Sequence, residues 1–217
     1  MLQRFRHIAF FVITLPLLLS SCATHRRVKD ISCYLNDTVK QSDMRLTTTF
    51  HATTGHSDTI CDTDDRREEI EIMPCDGGIR YGRTVLDKRH NIESFYAYDE
   101  DGNLRYCRFA FVPDKVYNGG VLIGRDYTFN QQGDITETCN HEEGYSICYK
   151  QAMYIGDRFS KRKASKKFST RILARGTRQG KKIWEYHYTN RKQQKKMLVI
   201  DGCSGKVLKE LEVIVTY

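Results

Sequence analysis

The sequence predicts an α+β fold that is mainly antiparallel β, with a β-meander of hairpins followed by one helix and a small antiparallel sheet. Short stretches of alternating apolar and polar residues recur along the chain, two related segments have the pattern of a β-hairpin, and one window has helical spacing. The 217 residues are 40% hydrophobic and 29% charged with only three prolines, which excludes a multi-pass membrane protein and a disordered chain.

The first predicted strands precede residue 80. Residues 46–50 alternate as a strand would, and residues 51–58 are predicted to form a polar loop. Residues 66–73 alternate Ile70 and Ile72 with charged side chains, which predicts a strand that ends at Pro74. A turn is expected at residues 76–78, which read Asp-Gly-Gly.

The clearest pattern is a pair of related segments at residues 94–104 and 125–135. Each contains two aromatic residues spaced two apart, then a polar stretch with Gly, then Asn or Asp and an aliphatic residue. Aromatic residues two apart share one face of a strand, and the Gly-containing turn reverses the chain. Each segment therefore predicts a β-hairpin, and residues 109–112 and 117–124 predict two further strands between them.

One helix and a last group of strands are predicted after residue 140. Apolar residues at positions 148, 149, 152, 153, 155 and 159 define a helix face, with Ser146 as the expected N-cap and basic residues 161–163 at the C-terminal end. Residues 166–173 and 181–188 then alternate as strands. Residues 196–200, the turn 201–205 and the segments 206–208 and 211–215 predict a closing hairpin.

Residues 78–138 resemble, in degenerate form, the MORN-variant (YwqK-like) hairpin repeats of bacterial lipoproteins. The resemblance rests on Tyr117-Asn118-Gly119, on Tyr127 and Phe129 at the usual aromatic positions, and on Gln132-Gly133 in place of Asn-Gly. It implies a meandering sheet used for recognition or scaffolding, with no catalytic role of its own.

Residues 141–217 resemble the PepSY-like domains of exported bacterial proteins. The matching residues are a helix and strand, then Trp184-x-Tyr186, then Leu198 to Leu208 with Asp201, Ser204, Gly205 and Val207. The resemblance implies a part that binds or restrains other exported proteins, peptidases among them, without a cofactor. A long basic insert departs from that pattern and puts the transfer of function in doubt.

The N-terminus resembles a lipoprotein signal peptide. Arg4 and Arg6 precede a twelve-residue apolar run, too short to span a membrane, and Leu19-Ser20-Ser21-Cys22 resembles a bacterial lipobox. This resemblance implies cleavage before Cys22, whose thiol and amine then carry acyl chains of the palmitate type as a lipid anchor. An ordinary signal peptide with a Cys after the cut is the alternative.

The residues after the lipobox bear on the compartment. Ala23 rather than Asp follows the Cys, which by analogy with Gram-negative lipoproteins implies the cell outer membrane. Residues 24–27 are basic, whereas the surface-export tags of Bacteroidota lipoproteins are acidic. The chain is therefore expected to face the periplasm. Its expected parts are the signal peptide (1–21), a lipidated tether (22–45), the β-meander (46–139) and the helix with its hairpins (140–217).

Seven cysteines remain in the mature chain besides Cys22, in a compartment that permits disulfides. Because seven is odd, at least one thiol must stay free or pair between molecules. Cys61 with Cys75, and Cys139 with Cys148, are close enough in sequence to close short loops, but spacing does not fix the connectivity. Free buried thiols that pack as small apolar groups are the alternative.

Positive charge is concentrated in one stretch. Residues 158–196 contain fifteen Lys and Arg against one acidic residue, Glu185, whereas residues 22–157 contain sixteen bases and twenty-three acids. The stretch could bind a polyanion, the acidic half of the chain or anionic lipid, or it could be a solvated face. Nucleic acid is not expected outside the cytoplasm. The predicted basic face comprises Arg158, Lys161, Arg162, Lys163, Lys166, Lys167, Arg171, Arg175, Arg178, Lys181, Lys182, Arg191, Lys192, Lys195 and Lys196.

No catalytic or metal-binding set stands out in the sequence. His51 and His56 lie near Asp58, Cys61 and residues 62–65, but the spacing matches no known metal motif, and Trp184 is expected to pack in a sheet.

We therefore predict a non-catalytic binding or scaffolding lipoprotein that contacts another envelope protein. Adhesion to an anionic envelope polymer through the basic face is the alternative. A metal- or thiol-dependent enzyme, using the 51–65 loop or an unpaired thiol, is a lesser one.

Overall fold

A computed structural model describes residues 28–33, 35, 37–47, 57–76, 79–113, 120–167 and 171–213. Its secondary structure is mostly antiparallel β with a single long helix, as predicted.

An eight-stranded antiparallel sheet forms the first part of the fold. Its order is β1-β2-β3-β4-β5-β7-β8, and the short β6 pairs with β5 beyond the point where β7 does. Neighbours in sequence are neighbours in the sheet except at β6, which confirms the predicted meander. The strands are β1 (Ser57–Asp62), β2 (Arg66–Asp76), β3 (Ile79–Asp87), β4 (Ile92–Tyr98), β5 (Leu104–Phe111), β6 (Val121–Leu122), β7 (Arg125–Phe129) and β8 (Ile135–Asn140).

One face of this large sheet is the core face. Tyr96 of β4 lies opposite Cys107 of β5, and Phe109 lies opposite Ser94. Since side chains alternate along a strand, Tyr98 and Phe111 share this face and are buried. Both predicted hairpins are present, as β4–β5 and β7–β8.

A helix and a four-stranded sheet complete the fold. Helix α1 (Tyr149–Ser160) packs on the small sheet, whose order is β12-β11-β10-β9. The Tyr149 ring centroid lies 4.8 Å from that of Phe111, so the helix joins the cores of the two sheets. The strands are β9 (Ile172–Arg178), β10 (Lys181–Thr189), β11 (Lys195–Asp201) and β12 (Val207–Glu212).

The predicted cap of the helix is wrong. The N-cap is Cys148, whose N–H donates to Oε1 of Gln151 at 3.1 Å. Ser146 is instead held to the closing hairpin, because its N–H and that of Ile147 both donate to the carbonyl of Gly202, at 3.0 and 2.8 Å. A tertiary contact thus holds Ser146 outside α1, and the helix is capped at Cys148 instead.

Described residues within the predicted tether (22–45), from Val28 onward, pack against the fold. Val28 is only 5% exposed, and its carbonyl accepts a hydrogen bond from Nε2 of Gln151 at 3.0 Å. A disulfide joins Cys33 to Cys148. Scattered apolar side chains on this segment cover the core face without strand or helix periodicity, so the sequence pattern did not reveal them; they are Leu35, Val39, Met44 and Leu46.

Other segments differ from the prediction in detail. Leu46 and Thr47 lie outside any strand, and the rest of the predicted strand 46–50 falls outside the described residues. Residues 57 and 58, predicted as loop, begin β1, an edge strand too exposed for apolar alternation. Residues 109–112 are the end of β5 and its following residue rather than a separate strand. Residues 51–56, 77–78, 114–119, 168–170 and 214–217 are not described.

Among the described residues, no helix has the length and apolar character needed to cross a membrane.

Candidate functional site

Eleven of the fifteen predicted basic residues lie together at one end of the small sheet, which we call the basic end. The loop after α1 is joined there to the β10–β11 turn: the N–H of Ser165 donates to the carbonyl of Thr189 at 2.8 Å, and that of Arg191 to the carbonyl of Lys163 at 2.9 Å. The residues of the basic end are Arg158, Lys161, Arg162, Lys163, Lys166, Lys167, Arg171, Arg191, Lys192, Lys195 and Lys196.

The other four residues do not belong to this surface, so the single predicted basic face is divided. Lys181 and Lys182 start β10, whereas Thr189 at its other end adjoins the basic end. Nine residues of strand separate the two ends of β10 by about 26 Å. Arg178 lies beside Lys181 across the β9–β10 hairpin, and the largely covered side chain of Arg175 contacts β6 of the large sheet.

The β10–β11 turn holds its cations in fixed positions. Oδ1 of Asn190 accepts hydrogen bonds from the N–H groups of Lys192 and Gln194, both at 2.9 Å. Gln193 adopts a φ of 62°, which closes the turn. Arg191 and Lys192 therefore project from a hydrogen-bonded turn and are exposed.

Ion pairs with described residues form at three cations of the basic end: Lys163 with Glu210 at 3.0 Å, Arg171 with Asp157 at 2.9 Å and Lys196 with Glu212 at 2.8 Å. Others are exposed and form no salt bridge with a described residue; they are Lys161, Arg162, Lys166, Arg191, Lys192 and Lys195.

These positive charges contribute little to the stability of the fold. Arg158 and Lys161 are placed to interact favourably with the negative end of the helix dipole, which is worth about 0.3–1 kcal/mol each. Exposed ion pairs contribute about 0–1 kcal/mol. Most cations of the basic end therefore add mutual repulsion rather than stability, which makes this surface a candidate binding site.

Arg175 has an internal role. Its Nε donates to the carbonyl of Leu122 at 3.0 Å, its guanidinium pairs with Glu142, and it lies 4.3 Å from the Trp184 ring centroid and 4.5 Å from that of Tyr145. Burial lowers the pKa of this guanidinium from its ordinary value. Arg175 thus joins the small sheet to β6 of the large one, and it is not available to a partner.

Trp184 packs in the sheet, as predicted. It is fully buried, and its indole N–H donates to the carbonyl of Ile147 at 2.8 Å. No face of the ring is open to a ligand.

The other predicted site residues are described only in part. Cys22, His51 and His56 fall outside the described residues. Asp62 and Asp65 pair with Lys88 and Arg89. Within the described part of the chain, no group of His, Cys, Asp and Glu side chains could hold a metal ion.

The disulfide connectivity differs from both short-loop pairings considered above. Cys148 bonds to Cys33 rather than to Cys139, and Cys61 is a free thiol. Cys107 is also free and fully buried, with its pKa raised to about 12 by burial, so it behaves as an apolar core residue. Cys139 and Cys203 are free and exposed.

A groove of about 670 Å³ on the core face was not predicted. Lys40 and Asp43 of the N-terminal segment line one side, and Arg83, Tyr96 and Phe109 lie on the sheet. The Arg83 guanidinium pairs with Asp43 at 2.9 Å and with Glu68 at 2.7 Å. The charges of Arg83, Asp43 and Glu68 in the groove therefore neutralise one another. The N-terminal segment forms one wall of the groove by lying over the sheet. No local sequence pattern reveals this long-range contact.

Comparisons with known proteins do not identify the chain. Its sequence matches no protein-family profile and no curated protein. Among solved structures it is similar to the C-terminal domain of YpeB from Bacillus megaterium, with a TM-score of 0.24 and 11% sequence identity, over 70% of this chain and 91% of that domain. A likeness this weak carries no argument about function. The MORN-variant and lipoprotein resemblances receive no support from these comparisons and stay predictions.

Proposed function

We propose that this chain is a lipid-anchored, non-catalytic binding lipoprotein of the bacterial cell envelope, and that its basic end binds an acidic surface of another envelope protein. The observation that carries the proposal is the gathering of eleven Lys and Arg side chains at one end of the small sheet, where three acidic residues of the described chain pair with them. Such a field attracts and orients an anionic partner during its approach.

The pattern of charge favours a protein over a uniform polyanion. Glu210 and Glu212 lie among the bases, and their side chains are 32% and 49% exposed. A repetitive anionic polymer would meet like charge at these positions. A protein surface can place cations opposite the two glutamates and carboxylates opposite the lysines, which gives specificity as well as attraction.

The short stretch of chain between Cys22 and the described fold supports a membrane-proximal partner. Five residues, 23–27, lie between Cys22 and Val28, the first residue of the described fold. Fully extended, the six residue-to-residue steps from Cys22 to Val28 reach about 20 Å. If Cys22 carries the lipid anchor, the folded part stays close to the outer membrane, facing the periplasm, and its partner must reach that layer.

Charge reversal at the basic end tests the proposal. The double variant K161E/K192E removes two exposed cations of the basic end, and K181E/K206E makes the same charge change at the opposite end of the small sheet. We expect the first pair to reduce salt-sensitive co-purification of an acidic envelope protein by at least about ten-fold, because steering and contact charges are both lost. The second pair should leave it unchanged.

Three outcomes would count against the proposal. Equal losses from the two variants would show that overall net charge, and not the basic end, retains the partner. Recovery of phosphate-bearing glycan or lipid alone, lost only in K161E/K192E, would replace the protein partner with the envelope-polymer alternative. A stoichiometric metal, or an activity that thiol blocking abolishes, would favour the enzyme alternative.

A further inference from the structure

A cluster of ionisable side chains lies on the outward face of the large sheet, beside its edge strand β8. The hydroxyl of Tyr106 on β5 donates to Oδ2 of Asp126 on β7 at 2.8 Å. Nε2 of His141, just after β8, lies 2.9 Å from the same oxygen. Asp126 is only 7% exposed, so a carboxylate, an imidazole and a phenol meet at a shielded point.

Cys139 belongs to the same cluster by the register of the strands. It lies directly opposite Asp126 in the β7–β8 pair, so the two side chains share a face with Cβ atoms about 4.5–5.5 Å apart. His141 follows two residues later, and its N–H donates to the carbonyl of Gly124 at 2.9 Å, which continues the ladder. Cys139 is a free, exposed thiol on a strand whose residues are all exposed.

The second carboxylate oxygen of Asp126, Oδ1, is buried and accepts no hydrogen bond from any described residue. A buried acceptor without a donor costs free energy, and such groups occur where a site has a functional demand on its polarity. Here the carboxylate of Asp126 lies beside the imidazole of His141, and the strand register places Asp126 opposite Cys139.

We propose that Cys139 is a reactive thiol that forms a mixed disulfide, with His141 as the base that accepts its proton and with Asp126 and Tyr106 as positioning residues. The Cys139 thiolate attacks one sulfur of an incoming disulfide and forms a new S–S bond. The old S–S bond breaks, and its other half leaves as a thiolate, which takes the proton from His141. One disulfide is consumed and one is formed, so no further oxidant is needed.

The open edge of the sheet gives the incoming disulfide access. In the described sheet, β8 pairs with β7 alone, and no strand covers its outer side. The inference concerns a stoichiometric modification and does not depend on the proposed binding function of the basic end.

Cys203 is a matched reference inside the same molecule. It is also a free, exposed thiol, on the turn between β11 and β12, where its S–H donates a hydrogen bond to the carbonyl of Gly144 at 3.5 Å. No hydrogen bond or ion pair of a described residue brings a histidine to that turn. A difference in rate between Cys139 and Cys203 therefore reports their different neighbours rather than exposure alone, and the variants below assign it to those of Cys139.

The test measures the rate at which each thiol reacts with dithiodipyridine, a neutral disulfide, in the folded chain, with peptide mass spectrometry to follow the two positions separately. Proximity to a base that accepts the thiol proton predicts a rate at Cys139 at least about ten-fold higher than at Cys203 near neutral pH. Equal rates at the two thiols would overturn the proposal.

Three variants separate the roles. H141Q removes the base and should lower the Cys139 rate to that of Cys203; an unchanged rate in a folded H141Q protein would contradict the assignment. D126N keeps an acceptor for Tyr106 but removes the negative charge, so the rate at Cys139 should fall in part. If H141Q does not fold, the rate in D126N tests the proposal in its place. H90Q alters an exposed histidine that pairs with Asp87 at 2.7 Å, and it should change neither rate.

Discussion

Arg175 and Lys161 are cations of the same basic stretch, but the structure gives them opposite roles. Arg175 is largely covered and contacts Leu122, Glu142 and the Trp184 ring. Lys161 is exposed just after the helix. The sequence could show only that both are basic. Which cation is internal depends on the packing of β9 against β6, a contact between distant parts of the chain.

We expect the substitution R175M to destabilise the protein by about 2–4 kcal/mol, because Met keeps the apolar stem but leaves Glu142 and the Leu122 carbonyl without their partner. Urea unfolding of the full chain measures this difference. R178M on the same strand is the control: Arg178 is exposed and pairs with Glu185 at 3.3 Å, so its loss should cost under about 1 kcal/mol. Similar losses in the two variants would refute the internal role of Arg175.

Helix α1 shows how tertiary packing can override a local preference. Glycine in a helix interior ordinarily costs about 1 kcal/mol relative to alanine. A Cβ at Gly156, however, would lie 2.3 Å from the ring of Tyr186 on β10. The glycine therefore permits the helix to approach the small sheet closely.

The substitution G156A should destabilise the protein despite its better helix propensity, by about 1–3 kcal/mol, because the Tyr186 ring or the helix must move. Thermal unfolding measures the change. K150A, on the same helix at a partly exposed position, should alter stability by less than about 0.5 kcal/mol. A more stable G156A protein would show that α1 and β10 are not packed this closely.

The elements that the sequence predicted well are those with a buried face and a glycine turn. The hairpins β4–β5 and β7–β8 have both features, and the φ values of Gly102 and Gly133 are 79° and 85°. Strand β1 was missed because it is an edge strand whose residues are mostly exposed. The helix was found from its apolar face, but its start was misplaced because contact with Gly202 fixes Ser146.

At the scale of the whole molecule, the disulfide between Cys33 and Cys148 fastens the N-terminal segment to the start of α1 across 115 residues of sequence. Long loops gain most from closure in the chain-entropy account, so we expect C33S to lower the free energy of unfolding by about 2–4 kcal/mol. C203S removes a free thiol and should change stability little. If C33S unfolds like the intact protein, and non-reducing peptide maps lack the Cys33–Cys148 pair, this account of the N-terminal segment fails.

The charge asymmetry could be counted from the sequence, but its arrangement in space could not. Arg158 and Arg191 are far apart in the chain and come together because the loop after α1 pairs with the β10–β11 turn. Lys181 is closer to Lys166 in sequence than Lys192 is, yet strand β10 carries it to the opposite end of the small sheet. The cluster around Asp126 likewise depends on strand register, which composition and motif searches do not reveal.

The central claim is that the basic end is the surface that meets a partner, and site-specific photocrosslinking in the living cell tests it most directly. A photoreactive residue at position 162 lies within the basic end, and one at position 206 lies at the opposite end of the small sheet. The account predicts that position 162 crosslinks to one acidic envelope protein, in a salt-sensitive manner, and that position 206 does not. Crosslinking of the same protein from position 206 alone, or equally from both positions, would contradict it.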